Sequence, residues 1–513
     1  MGGLTGLLAA VVICIALRSY FAKPKLPHGV QFPPGPRSLP ILGSALAVDV
    51  NEPWVTYKTW GILTDVAGIG DMVYTKLFGQ DNIVVNSEKI ARALLENRSQ
   101  NYSDRPEIAT NELFGIDHTT AFMRYNSRWR LHRKILHQSF RQDVVPDFRL
   151  MQVAKTHELL LNLLEDPLGY PKHLEVHAGS IIMSAVYSYD AERCNDYVIE
   201  RALLALEVIL QEMRPEVAAI FSAFPSLLRL PSWLPGMRLK RVSPLAKRLA
   251  LENLENPFAR TEHGLLAGTV SSCMVADHLL KIDESNGNSA WQKKAVMDSA
   301  ATATGAGVIM NFILVMVLHP DIQEKAHKLI KNVVGEKRLP TFQDRPSLPY
   351  IDAILRECLR WHPVFPLAIM HAAVESDVYE SYYIPKGATV TPNVWAMCHD
   401  EVKYPNASEF NPDRFLNADG TLTDDTVSIV WGFGRRICPG RHLAEASVWS
   451  AMVHLLAIFK FSNAKDENGK EIEFKPRWEG GLTVRPAPFP CSITPRNAGT
   501  DIAALQNLIK VSM

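Results

Sequence analysis

Apolar positions recur at three- and four-residue spacing along most of this chain, and each such stretch predicts a helix with one face turned to a core. The stretches are 86–97, 126–140, 147–165, 197–219, 291–319, 320–334, 348–360 and 440–459. Short β-like runs are fewer: Met72–Phe78, Asn82–Asn86, Tyr382–Ile384 and Thr389–Pro392. Pro231, Pro235 and Gly236 punctuate a turn. Beyond residue 37 there is no Gly/Ser-rich linker, repeat or low-complexity block. The pattern therefore predicts one large, mainly α domain with small β-sheets over 37–498, followed by a tail at 499–513.

The first residues break that pattern. Leu4 to Leu17 is apolar apart from Thr5 and nearby glycines. As a helix it spans about 21 Å, short of the roughly 30 Å hydrocarbon core. Carried on to Ala22, with Arg18 snorkelling outward, it reaches about 28 Å. No basic stretch precedes the run and no small-x-small site follows it, which argues against a removed secretory signal. Arg18, Lys23 and Lys25 come after it, so the positive-inside rule keeps the body in the cytosol. The expectation is an uncleaved transmembrane anchor at 1–22. A basic, proline-rich hinge at 23–36 follows, stiffened by Phe32-Pro33-Pro34-Gly35-Pro36.

Composition excludes classes rather than naming one. Lys+Arg and Asp+Glu both number 54, which argues against a nucleic-acid binder. The seven cysteines are odd in number and scattered, so neither a disulfide framework nor a CxxC zinc pair is present. Unpaired cysteines also suit a reducing compartment.

Chemistry enters at Trp431-Gly432-Phe433-Gly434-Arg435-Arg436-Ile437-Cys438-Pro439-Gly440. Glycines at 432, 434 and 440 let backbone amides approach the Cys438 sulfur and donate to it. Arg441 to Trp449 is a good helix-forming run, so the sulfur sits just before a helix N-terminus, where the dipole favours negative charge. Both features suit a thiolate metal ligand. Arg436, two residues away, can reach an anionic group on the same cofactor. A lone cysteine is otherwise a small buried hydrophobe. Yet chance supplies Gly-x-Arg-x-Cys-x-Gly only about twice in a thousand chains of this composition, so the pattern is specific.

The segment resembles the haem-thiolate loop of the cytochrome P-450 superfamily, Phe-x-x-Gly-x-Arg-x-Cys-x-Gly, with Trp431 where phenylalanine is usual. Further segments are similar to family motifs in the expected order: Trp129-Arg130-Leu131-His132-Arg133, Glu357-Cys358-Leu359-Arg360 and Phe410-Asn411-Pro412-Asp413-Arg414-Phe415. With the anchor and hinge, the resemblance covers residues 1–496 and is closest to fungal microsomal members. It implies the cytochrome P-450 fold and haem b (iron protoporphyrin IX) on the Cys438 thiolate, with Trp431, Gly434 and Gly440 around the sulfur. It also implies propionate contacts from Trp129, Arg133, His371 and Arg436, and a structural ion network of Glu357, Arg360 and Arg414. An arginine usually follows the histidine, but the chain reads His371-Ala372. Glu-x-x-Arg alone is a solvated surface pair by default.

In that family the long central helix carries small residues, an acid and a threonine. Counting back from Leu318-His319-Pro320, the equivalent segment is Ala300-Ala301-Thr302-Ala303-Thr304. Thr304 falls on the threonine and Ala303 on the acid. Cleaving dioxygen needs electrons and protons, and a thiolate ligand assists the cleavage. The acid normally relays those protons through water. Asp298 lies about one and a half turns back and faces elsewhere, so Thr302, Thr304 and ordered water are left to deliver them. The departure keeps several activities open. One is an NADPH-dependent monooxygenase with a modified relay. Another is a haem-thiolate isomerase, dehydratase or peroxygenase, and a haem sensor without turnover is the third.

No Gly-x-Gly-x-x-Gly fingerprint or P-loop is present, so electrons must come from outside. The resemblance implies a separate NADPH–cytochrome reductase, with cytochrome b5 as an optional second donor. Arg130, Lys134, Arg435 and Arg441 offer basic contacts on the cysteine side. By position in the family, Ile108, Phe114, Phe122, Val364, Phe365, Ile369 and Leu482 line the substrate pocket. These side chains suit an apolar small molecule such as a terpenoid or aromatic secondary metabolite. The expected location is the endoplasmic reticulum membrane, with the catalytic domain cytosolic.

Overall fold

Local sequence explains where the helices begin. α1 (Ser127–Phe140) starts at Asn126, whose Oδ1 accepts the Trp129 amide at 2.8 Å. α2 (Arg149–Glu165) carries one apolar face, and α3 (Ser289–Ala300) buries its C-terminal half from Ala295 on. α4 (Gly307–Leu318) is apolar all round, and Phe312 to Met316 have no exposed surface, so it runs through the middle of the core. The helix Pro320–Val334 and α5 (Pro349–Trp361) each open on proline, where the missing amide costs nothing. α6 (Arg441–Ile458) begins just after Cys438 and packs on α2 through a polar seam. There Gln152 Nε2 donates to the Leu443 carbonyl (3.0 Å) and Ser447 Oγ (2.8 Å), while Thr156 Oγ1 meets Ser450 Oγ at 3.2 Å.

This architecture comes from a computed structural model that describes residues 26–40, 42–64, 70–212, 215–283, 287–301 and 307–512. The anchor expected at 1–22, and Thr302 and Thr304, lie outside the described residues. Among the described residues no helix is long and apolar enough to cross a membrane.

A four-stranded sheet supplies the other wall of the site. β1 (Met72–Leu77) and β2 (Gln80–Val85) form a hairpin with Met72 opposite Val85. β3 (His371–Ala372) lies at the far edge, antiparallel to β4 (Thr389–Pro392), which runs parallel to β2. On its outer side β3 is bridged to Asp104, whose carbonyl accepts the Ala372 amide at 2.9 Å. The sheet edge thereby holds residues 102–105 beside His371. Residues 26–36 also dock here: the Gln31 amide donates to the Ser381 carbonyl (3.0 Å) and the Tyr74 amide to the Pro34 carbonyl (2.9 Å). The Phe32 ring packs on Tyr74 and Tyr383.

Several expectations need correction. The stretch 197–219 is two helices, Tyr197–Glu212 and Pro215–Ala223, because Pro215 suits a first turn and not a helix interior. The stretch 86–97 is α-helical over Glu88–Arg92 and continues as a π-helix over Ala93–Asn97. The tail contains the helix Ile502–Ser512, anchored by fully buried Leu505 and by Ser512 Oγ, which accepts the Leu339 amide at 2.7 Å. Periodicity also missed Arg238–Leu266, a helix with Pro244 and Pro257 inside it. Pro244 cannot donate to the Lys240 carbonyl, and Ser243 Oγ does so instead at 3.2 Å.

α5 is tied to the segment after it by buried charge. Arg360 and Glu357 have no exposed surface and pair through two bonds, 2.6 and 2.7 Å. Glu357 Oε1 also accepts the Asn411 amide (2.8 Å) and Arg414 Nε (3.2 Å). Arg360 Nη1 donates to the Cys398 and Ala407 carbonyls at 2.9 and 2.8 Å. Removing one charge leaves the other buried without a partner. Glu357→Gln is expected to lower stability by about 3–5 kcal/mol in urea unfolding; a loss below about 1 kcal/mol would show that backbone carbonyls alone satisfy Arg360.

Candidate active site

The Cys438 loop is shaped by backbone contacts. The Cys438 amide donates to the Trp431 carbonyl at 2.7 Å, and Ile437 N donates back to Gly434 O at 3.2 Å. Gly434 has φ +51°, and a Cβ there would lie 2.2 Å from the Leu95 carbonyl oxygen, so the loop presses directly on the 93–97 turn. The Gly440 and Arg441 amides, at the start of α6, donate toward the sulfur. Burial pushes the Cys438 thiol up, while those amides and the charges of Arg133 and Arg441 pull it down. Unlike the buried Cys273, Cys358, Cys398 and Cys491, Cys438 keeps part of its surface open.

Basic groups converge on the same side. Arg133 Nη1 donates to the Ile437 carbonyl, one residue before the cysteine. Arg436 is buried and donates to the Ser103 (2.7 Å), Met123 (2.8 Å) and Thr120 (3.4 Å) carbonyls. Its guanidinium lies 4.2 Å from the Trp129 ring centroid, a cation–π contact. His371 Nδ1 meets the Tyr102 carbonyl at 2.7 Å. Thus α1, the cysteine loop and the sheet edge bring together Trp129, Arg133, Arg436 and His371.

Arg105 joins them, and the sequence reading missed it. It is buried, donating to the Ala121 (3.0 Å), Ile369 (2.6 Å) and Met370 (2.8 Å) carbonyls, and so stands beside His371 although residue 372 is alanine. It sits in an irregular segment where periodicity is silent. It lies just before Ile108, the first residue expected in the pocket wall.

The guanidiniums of Arg105, Arg133 and Arg436 fit an anionic prosthetic group, with the neutral His371 ring beside them. Burial lowers Arg133 and Arg436 to about 10, and pushes Arg105 and His371 well below their usual ranges. Among the described residues no carboxylate pairs with Arg105, Arg133 or Arg436. Asp104 is close in sequence, but its oxygens hold Arg124 (2.7 Å) and the Tyr125 amide (2.7 Å). A half-buried cysteine at a helix start and a group of carbonyl-held guanidiniums, two of them buried, are the donor set for an iron macrocycle carrying carboxylates.

The pocket residues separate. Ile108, Phe122, Ile369 and Leu482 line one small apolar cavity, with Arg105 and Met370 in its wall. Val364 packs on Gly307, where an added Cβ would lie 3.0 Å from its Cγ2, and its carbonyl accepts the Val484 amide at 2.8 Å. Phe365 belongs to the same turn, its carbonyl accepting the Ala368 amide at 3.0 Å. Phe114 is fully buried in an apolar cluster with Ile116 and Phe221, on which Ile108 and Phe122 also pack, so it backs this wall. Asp298 is fully buried and engaged by Arg128 (2.7 Å) and Lys294 (2.9 Å).

Residues 33–491 match the family pattern described as Cytochrome P450. The chain is 33% identical over 505 residues to the cytochrome P450 monooxygenase COX1 of Coprinopsis cinerea, covering 96% of each chain. It is 35% identical to the monooxygenase claR of Ampulloclitocybe clavipes, over 92% of this chain and 88% of that one. It is 34% identical to the monooxygenase ppsD of Aspergillus oryzae, over 96% and 94% respectively. The fold and the comparisons together define a mainly helical haem-thiolate oxidoreductase. The chain belongs to the cytochrome P450 family, and the relatives are fungal enzymes named as monooxygenases.

Gly434→Ala places a left-handed conformation on an L residue, costing about 1–2 kcal/mol, and drives a methyl into backbone. The expected result is a lower melting temperature and a lower haem-to-protein ratio after purification. Unchanged values in both would show that the Leu95 contact yields freely.

Proposed function

We propose that the chain is an NADPH-dependent monooxygenase that inserts one oxygen atom from dioxygen into an apolar small molecule, hydroxylating a fungal terpenoid or aromatic secondary metabolite. The observation that carries this reading is the partly open Cys438 beside the buried guanidiniums of Arg105 and Arg436 and the half-buried Arg133, which have no carboxylate partner among the described residues. Haem b held there supplies the redox and dioxygen chemistry that no side chain possesses.

Each side chain then has a task. Cys438 would be the thiolate that holds the iron; burial disfavours its ionised form, and the two α6 amides with Arg133 and Arg441 work against that penalty. Trp431, Gly434 and Gly440 shape the loop around it. Arg105, Trp129, Arg133, His371 and Arg436 bind the propionates, and Glu357, Arg360 and Arg414 hold the scaffold. The apolar wall of Ile108, Phe122, Ile369 and Leu482 excludes water and orients substrate by shape. Val364 and Phe365 shape the approach from the α4 side, with Phe114 backing the wall. Thr304 and Thr302 hold and pass protons in place of the acid absent at Ala303.

Electrons arrive from a separate NADPH–cytochrome reductase, with cytochrome b5 as an optional donor. Arg130 and Arg435 flank the Tyr125 ring and extend the basic face toward such a partner. The anchor at 1–22 would hold the chain on the endoplasmic reticulum with its body cytosolic. Ala303 is the one feature favouring isomerisation, dehydration or peroxide use. The monooxygenase names of the relatives weigh against that alternative.

The test is co-expression with a fungal reductase under labelled dioxygen, supplying pooled terpenoid and aromatic scaffolds. One labelled oxygen per product is expected. Product that forms equally without dioxygen or reductase would overturn the reading in favour of the alternative. Cys438→Ser is expected to abolish the thiolate-type reduced carbon-monoxide spectrum; its retention would remove Cys438 as the ligand. Thr304→Ala should divert most NADPH consumption away from product while changing substrate affinity little. Unchanged coupling would place proton delivery elsewhere.

A further inference from the structure

We infer that His132 is a positioning residue that pins, through Thr120, the turn whose carbonyls aim both Arg436 and Arg105, an inference resting on the haem reading above. His132 lies on α1 between Trp129 and Arg133 and has no exposed surface. Its Nδ1 meets Thr120 Oγ1 at 3.0 Å, while its Nε2 is buried without a hydrogen-bond partner among the described residues. Burial lowers its pKa to about 4, so the ring is neutral at working pH. A buried imidazole with one nitrogen unsatisfied is costly, and a leucine there would avoid that desolvation. The Thr120 bond is what the polar ring supplies in return.

That bond acts on a short turn with several duties. The Phe122 and Met123 amides both donate to the Thr119 carbonyl at 3.1 Å, which closes residues 119–123 into one unit. The carbonyls of Thr120 and Met123 accept from Arg436, and the Ala121 carbonyl accepts from Arg105. The Phe122 side chain lines the apolar cavity. Rotation of this unit would misdirect both guanidiniums at once and shift one wall of the pocket. The tie to α1 prevents it, and α1 also carries Trp129 and Arg133. His132 therefore couples the two arginines of the turn to the two propionate residues of the helix, without touching the haem itself.

The experiment compares full-length wild type, His132→Leu and His132→Asn, since asparagine can place a polar atom where Nδ1 sits. Haem transfer to excess apomyoglobin and the ferric–ferrous midpoint potential are both measured. Losing one neutral hydrogen bond of about 1 kcal/mol predicts roughly fivefold faster haem loss from His132→Leu. Its potential should also move negative, because a positive charge near the propionates is displaced. His132→Asn should restore both values. Wild-type haem retention and potential in His132→Leu would overturn the inference. Equal impairment of the two variants would overturn it as well, since packing alone would then explain the effect. Should His132→Leu fail to fold, Thr120→Val removes the same bond and must reproduce both changes; unchanged values there would also sink the idea. A wild-type chain lacking the thiolate spectrum would instead remove the haem reading beneath it.

Discussion

Buried positive charge without a counter-carboxylate is the constraint around which the rest of this molecule is arranged. Arg105 and Arg436 are buried together against the neutral His371 ring, with Arg133 close by and no carboxylate paired to them among the described residues. Backbone carbonyls from three separate chain segments point at the two most buried guanidiniums, and the Trp129 ring covers one of them. Carbonyls are neutral, so they satisfy hydrogen bonds and leave the charge uncompensated. The segment 103–123, the sheet edge at β3 and the start of α1 are therefore all committed to a site that only an anion completes.

The sulfur poses the complementary problem. Desolvation disfavours its ionised form, and two α6 amides plus two arginines work against that. Those amides can point at Cys438 only because α6 starts where it does. Its axis is held by the Gln152 and Thr156 seam to α2, and its approach by Gly434 pressed on Leu95. A group that satisfies both the open sulfur and the unpaired cations stabilises both halves together. The Glu357–Arg360–Arg414 network differs in kind: both of its cations share a carboxylate partner within the protein, so it can hold α5 without any ligand.

Much of this was legible in the sequence where a period or a spacing carries the information. Trp129 and Arg133 at i and i+4 share a helix face, and α1 delivers both to the site. Periodicity placed the stretches 126–140, 320–334 and 348–360 within a residue of α1, Pro320–Val334 and α5. Arg238–Leu266 was hidden because Pro244 and Pro257 each remove an amide, and the Ser243 repair is a side-chain event that no propensity encodes. Arg105 was hidden for another reason. An irregular segment has no period, and the family motif places a second arginine beside His371 in sequence, whereas the β3–Asp104 bridge supplies one from far away in the chain. Phe114 and Phe122 look alike as apolar residues of one loop region. Only tertiary packing tells that one faces a cavity and the other a core cluster.

The missing acid at Ala303 gains meaning from its described neighbours. Asp298 is the nearest carboxylate back along α3, and both of its oxygens already hold cations, one from α1 and one from its own helix. Freeing it to carry a proton would leave Arg128 and Lys294 without their partner and loosen α3 from α1, the helix that bears Trp129 and Arg133. At the other side, Gly307 is packed on Val364 with no space for even a Cβ at ordinary contact distance. Both flanks are thus fixed by contacts that serve the scaffold. On the proposed reading, protons must then come through hydroxyls and water, and the rate of that delivery would depend on how well substrate fills the apolar space beside Phe122 and Leu482.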